Sequence, residues 1–160
     1  MGSSGQYAKT TDVPVDKSRA DIERVLAKYG ADAFGYTIAD NVARIAFRME
    51  GRHFRFALTL PPRDRWDFHN YKQGSTTFLR AKGVPEKMWE QECRSLWRAL
   101  LLVIKAKLEA VAVGITTLED EFMAALVLSD GKTVGETMKP QIDEHYRVGG
   151  PPRLMLDGPR

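Results

Sequence analysis

One hundred and sixty residues, 43% hydrophobic and 28% charged, describe a globular chain of single-domain size, able to bury roughly 70% of the surface its unfolded form exposes. The longest strongly apolar run, Ala99 to Ile104, is far too short to cross a bilayer, and the opening stretch has no apolar signal region. One cysteine, Cys93, excludes an internal disulfide, and the three scattered histidines lack the paired spacing of a zinc site. These features predict a cytoplasmic protein with no membrane contact, metal or other cofactor.

Net charge is only +3, but it is unevenly distributed. Residues 1–43 carry five Lys/Arg and six Asp/Glu, residues 44–82 nine against three, and residues 83–160 ten against twelve. The basicity therefore sits in the central segment, where it can build a local field attractive to anions.

Residues 1–16 read as a disordered or extended tail, 17–148 as a single α+β domain, and 149–160 as an extended tail. Within the domain a helix follows Asp16, with Ser18 as its cap and Asp21 completing a capping-box arrangement. Ile22, Val25, Leu26 and Tyr29 recur at helical spacing, and Gly30 supplies the stop. A strand is predicted around 33–38, with Ala39-Asp40-Asn41 as its turn. From Val42 to Met49 the period is two. Ala43, Ile45, Phe47 and Met49 share one face; Arg44, Ala46 and Arg48 share the other. Glu50-Gly51 reverses the chain into a strand that points Phe54, Phe56, Leu58 and Leu60 inward, and His53, Arg55, Ala57 and Thr59 outward. Three antiparallel strands with one apolar face need helices to cover that face.

Pro61-Pro62 ends the third strand, and a long loop is expected up to about Pro85, with a short strand conceivable within Ser75–Ala81. The spacing then predicts a helix over about 85–113. Trp89, Leu96, Leu100 and Val103 form one stripe, widened by Trp97, Leu101, Ile104 and Leu108. So broad an arc implies burial on more than one side and leaves room for a homodimer. Thr117 with Asp120 caps a helix to about Leu128, and Thr133 with Glu136 caps a last one to about Tyr146.

Two constellations invite a functional reading. On the outward strand faces, Arg44, Arg48, His53 and Arg55 form a basic cluster. Like charges side by side are easier to explain if an anion or acidic partner occupies the face; ordinary solvated strands with packed Arg stems are the competing account. In the loop, Trp66, Phe68, Tyr71 and Phe78 alternate with Arg63, Arg65, His69, Lys72, Arg80 and Lys82. Binding single-stranded nucleic acid requires flat rings for bases and cations for phosphates, whereas aromatics that fasten the loop to the core would give the same composition. Arg94, Arg98 and Lys105 share a helix face, explained well enough by solvation and by Glu90 four residues before Arg94. Catalytic signatures are missing: the chain contains no GxSxG, P-loop, HExxH or GxGxxG pattern, and its acidic residues fall in capping or solvated positions.

The segments Lys9–Ala31, Trp89–Phe122 and Asp130–Ile142, with "WEQECRSLWRALLLVIKAKLEAVAVGITTLEDEF" and "DGKTVGE" as their most specific parts, resemble a family of small uncharacterised proteins from bacteriophage and prophage genomes. That resemblance implies a phage protein working in the bacterial cytoplasm and assigns no site residues. The order helix, three strands, helix is also similar to that of double-stranded-RNA-binding domains and of strand-annealing recombination proteins, a likeness of fold alone. The expectation is a non-enzymatic, phage-encoded accessory protein that binds nucleic acid, above all single-stranded DNA, in replication, recombination or host takeover. Arg44, Arg48, Arg55, Arg63, Arg65 and Lys72 would meet phosphates, and Trp66, Phe68 or Tyr71 would meet bases. The alternative is a module that binds and inhibits a host enzyme or defence factor.

Overall fold

Two tight reversals set the sheet. The computed structural model describes residues 8–150; the first seven residues of the expected N-terminal tail and residues 151–160 of the C-terminal one lie outside them. Asp40 (φ 52°) and Asn41 (φ 58°) form the first turn, Glu50 (φ 51°) and Gly51 (φ 72°) the second. Positive φ at both central positions gives a turn whose twist matches that of the flanking strands. Each two-residue turn fixes a register: Ala39 opposite Val42, Met49 opposite Arg52. The result is an antiparallel meander of β1 (Ala31–Ala39), β2 (Val42–Met49) and β3 (Arg52–Thr59) in the order β1-β2-β3. Ala43, Ile45, Phe47, Met49 and Phe54 are buried on one face, as the alternation predicts.

The helix α1 (Val15–Lys28) buries Ile22 and Leu26. It begins one turn earlier than expected, with Pro14 at its N-cap position. The extra turn brings Val15 against the core. Ser18 is consequently no cap; it is buried inside the helix, and its hydroxyl has no hydrogen-bond partner. Residues 8–14, expected to belong to a tail, are held in place: Ala8 is buried, and the Gln91 amide donates to the Lys9 and Thr11 carbonyls at 3.2 and 2.9 Å.

The stretch after Pro61-Pro62 is structured rather than a long loop. It folds into a one-turn helix, α2 (Trp66–His69), and a hairpin of β4 (Asn70–Gln73) and β5 (Thr76–Leu79). Its polar and aromatic residues hide the strand period because most of the hairpin stands in solvent, where no buried face imposes apolar alternation.

The long helix α3 (Val84–Ala112) closes the apolar face with Cys93, Trp97, Leu101, Ile104 and Leu108. Pro85 lies in its first turn and Gly114 (φ 79°) follows its end. Trp89, Leu96 and Leu100 are half-buried, but Val103, expected in the buried stripe, is exposed. The sheet covers one side of α3 and α1 its flank, so the outer side of the arc faces water.

Thr117 caps α4 (Leu118–Phe122) as expected, but the helix stops six residues short of the predicted Leu128. A 3-10 turn at Met123–Ala125 leads into an extended segment, because the open edge of β3 competes for the backbone. Leu126 pairs with Phe54, and the Val127 N–H donates to the His53 carbonyl at 2.8 Å. Phe122 is held edge-on to Phe47, Phe54 and Phe56. The capping box of Thr133 and Glu136 then opens α5 (Val134–Gly149). Gly135 is required there, since a Cβ would stand 2.9 Å from the Ala124 carbonyl oxygen. From Met138 onward α5 is exposed on all sides.

Trp97→Ala is expected to lower unfolding stability by about 3–5 kcal/mol, through lost burial and the cavity left behind. Thr133→Ala is expected to cost about 1 kcal/mol through the lost cap. Urea titrations of both variants check the order: an equal loss would mean that Trp97 is not central to the core.

Candidate nucleic-acid interface

Alternation that buries one face of the meander dictates what the other face shows. Outward on β1 are Ala33, Gly35 and Thr37, on β2 Arg44, Ala46 and Arg48, and on β3 His53, Arg55, Ala57 and Thr59. Since α1 and α3 both pack on the apolar side, neither covers this face. None of these outward strand residues is a large apolar one, and at the β3 edge Val127 and Leu128 border Ala46, His53 and Arg55. Register also resolves the charge crowding: Arg44 lies between Thr37 and Ala57, Arg55 opposite Ala46, and Arg48 opposite His53. No two arginines stand directly opposite each other.

The acidic neighbours of these arginines come from elsewhere. Asp32, at the β-bulge of β1, accepts from Arg48 Nε at 2.8 Å, and that bond holds its carboxyl below the usual aspartate range. Glu136, at the start of α5, accepts from Arg55 at 2.9 Å and from the Thr133 N–H at 2.8 Å. Arg44 has no acidic partner among the described residues. Toward the β3 side the basic surface continues into an open cleft of about 320 Å³, lined by Arg55, Lys107, Lys139, Glu121, Glu136 and Phe122. Lys107 is bonded to Glu121 at 2.8 Å; Lys139 forms no ion pair among the described residues.

The remaining predicted contacts are placed differently. Arg63 lies over the Trp89 ring, 3.7 Å from its centroid, and binds both carboxylate oxygens of Glu86 at 2.5 and 2.7 Å. Trp89 in turn donates to the Pro61 carbonyl at 2.8 Å. Arg65 is gripped by two carboxylates, Asp67 at 2.6 and 2.9 Å and Glu92 at 2.6 Å on each oxygen, while lying 4.0 Å from the centroid of Phe68. Phe68 is 1% exposed and offers no face to a base. These three residues fasten α2 to α3.

Beyond that anchor the hairpin stands out. Tyr71 stacks on Phe78 at 5.5 Å, Arg80 lies 5.4 Å over Tyr71, and Lys72 lies 6.0 Å from the Trp66 ring. Trp66 is 52% exposed and Leu79 80%. Trp66, Tyr71 and Lys72 are thus accessible, but their support is α3, on the covered side of the sheet. Arg44, Arg48 and Arg55 project from the opposite side. The nine predicted residues therefore fall into three groups: an open face, an internal anchor and a projecting hairpin.

Sequence reasoning missed Lys107 and Lys139, which reach Arg55 only through long-range packing of α3 and α5. It also passed over Ala33, Gly35 and Thr37, whose small size keeps the face open; their alternation with Phe34, Tyr36 and Ile38 was the available signal. Among the described residues no cluster of His, Cys, Asp and Glu could hold a metal. Cys93 is buried and its thiol is pushed up to about 11, chiefly by that burial.

Two outcomes are expected. Native Cys93 reacts with a thiol reagent at neutral pH far more slowly than the urea-unfolded chain; equal rates would contradict its burial. The bond from Arg65 holds the Asp67 carboxyl below its ordinary value. Its stabilisation is thus present above the unfolded pKa near 4 and is lost as pH falls through the lower folded value. Asp67→Asn should lower the urea midpoint at pH 7 and reduce its fall toward pH 3. A variant with the wild-type profile would contradict this coupling.

Searches of family models, of curated proteins and of solved structures find no match to the chain, so a functional reading has the site's own chemistry for support.

Proposed function

We propose that this protein is a non-catalytic nucleic-acid-binding accessory protein that meets phosphates with the open face of its sheet. The observation that carries the reading is the make-up of that face: arginines spaced by alanine, glycine and threonine. Small residues let a polyanion approach the backbone plane, and staggered guanidinium groups present several donors in fixed positions. Exposed ion pairs are worth only about 0–1 kcal/mol, so Arg48 and Arg55 can exchange carboxylate for phosphate. Arg44 starts without a competitor among the described residues. Lys139 and the cleft beyond Arg55 extend the track. Arg65, bound to two carboxylates, is a structural residue in this reading, and so is Arg63.

The preference for single strands rests on Trp66 and Tyr71, which would engage a strand that passes around the molecule to the hairpin. With the resemblance to phage proteins, the setting is replication, recombination or host takeover in an infected bacterial cytoplasm. A second reading draws support from the hairpin itself. Exposed Trp66, Phe78 and Leu79 on a rigidly anchored projection suit a protein partner, such as a host enzyme or defence factor.

Fluorescence polarisation of labelled oligonucleotides tests the first reading. Binding should weaken steeply with salt, and Arg44→Ala should weaken it about uniformly across sequences while lowering the salt slope by about one. No polarisation change at low salt would end it. Retention of a stoichiometric host protein after nuclease treatment, lost in Trp66→Ala but not in Arg44→Ala, would favour the second.

A further inference from the structure

The two edges of the sheet are treated differently. The β3 edge is partly closed where Leu126 pairs with Phe54, but among the described residues β1 pairs only with β2. The Asp40-Asn41 turn makes Ala39 and Val42 a hydrogen-bonded pair. Alternation from that pair turns the N–H and C=O groups of Phe34, Tyr36 and Ile38 away from β2, toward the open edge. Nine residues long, β1 carries one charge, Asp32, which its bulge sets aside and Arg48 binds. The remaining edge has no Lys and no Pro to deter pairing. At its margin Tyr36 is 45% and Ile38 50% exposed, although both point to the apolar side. Ile38 also lines an open apolar cleft with Pro14, Val15 and Trp89.

We infer that β1 pairs antiparallel with β1 of a second copy, joining two meanders into one six-stranded sheet. With Tyr36 on the two-fold axis, the outward-bonding groups of Phe34 meet those of Ile38 from the second copy, and all three residues find partners. The charges permit it. On the outer face the strands that meet contribute only Ala33, Gly35 and Thr37. The two β2 backbones that carry Arg44 and Arg48 are then three strand spacings apart, about 14 Å, and Arg48 is already paired with Asp32. On the apolar side the Arg19 guanidinium lies 4.6 Å from the Tyr36 ring centroid and is already paired with Asp16, so a second copy meets a self-complementary edge without an unpaired cation at its centre. The joined sheet also doubles the proposed phosphate-binding face. That consequence rests on the function proposed above, whereas the pairing itself does not.

Light scattering on nucleic-acid-free protein should give twice the chain mass of 18.0 kDa. Ile38→Pro, which removes an edge donor, and Tyr36→Lys, which sets two ammonium groups against each other, should each give 18.0 kDa with an unchanged far-ultraviolet circular dichroism spectrum. In the wild type, the amides of Phe34, Tyr36 and Ile38 should resist deuterium exchange, a readout that does not require either variant to fold. A wild-type mass of 18.0 kDa with fast exchange at those amides would overturn the pairing. A doubled mass that persists in both variants would overturn it as well. Either result would leave the oligonucleotide measurements standing, and loss of oligonucleotide binding would leave the mass unaffected.

Discussion

Burial of one face of the meander under α3 is the contact on which the rest of the molecule depends. A three-stranded sheet has two faces, and this chain supplies helices for one. Trp97, Ile104 and Leu108 meet Ile45, Phe47 and Phe54 in a single core, with Phe122 closing the side by edge-on aromatic contacts. Because side chains alternate strictly along a strand, this burial leaves the opposite face without cover, and its residues must be ones that tolerate water. The basic surface is therefore a geometric consequence of how the core forms, and the choice of arginine over other polar residues is what calls for a functional explanation.

The same helix organises the second surface. Its first turns hold the Pro61 carbonyl through Trp89, and Glu86 and Glu92 hold the arginines that precede α2. A two-stranded hairpin has little stability in isolation, and β4–β5 gains its position from this network of carboxylates, guanidinium groups and rings. The basicity of residues 44–82 is thus divided. Part fastens the hairpin against acidic residues of α3, and part remains on the sheet. A charge tally along the chain counts all of these cations alike, although Arg63 and Arg65 cannot serve a polyanion without dismantling local structure.

Much of the fold was legible in the residues. The period of two from Val42 to Leu60, the Asp-Asn and Glu-Gly reversals, the capping box at Thr133 and the flanking Pro85 and Gly114 each led to the element they predict. Errors arose where tertiary demands outweighed local signals. Ser18 is a good cap by type, yet packing of Val15 extends the helix past it. Helical spacing continues beyond Phe122, yet the unpaired edge of β3 draws Leu126 and Val127 into extended pairing. In the hairpin, exposure removes the apolar alternation that would have revealed its strands. The candidate site was legible as a list of cations but not as an arrangement. Nothing near Arg65 in the chain announces Glu92, and nothing near Arg55 announces Glu136 or Lys139.

The proposed contact with nucleic acid is the open sheet face rather than the hairpin. Titrating isotope-labelled protein with a short oligonucleotide, while following backbone amide resonances, addresses it residue by residue. The largest shifts are expected on Thr37, Arg44, Ala46, Arg55 and Ala57, with smaller ones toward Lys139. Shifts confined to residues 66–79, with the outer face unmoved, would contradict it.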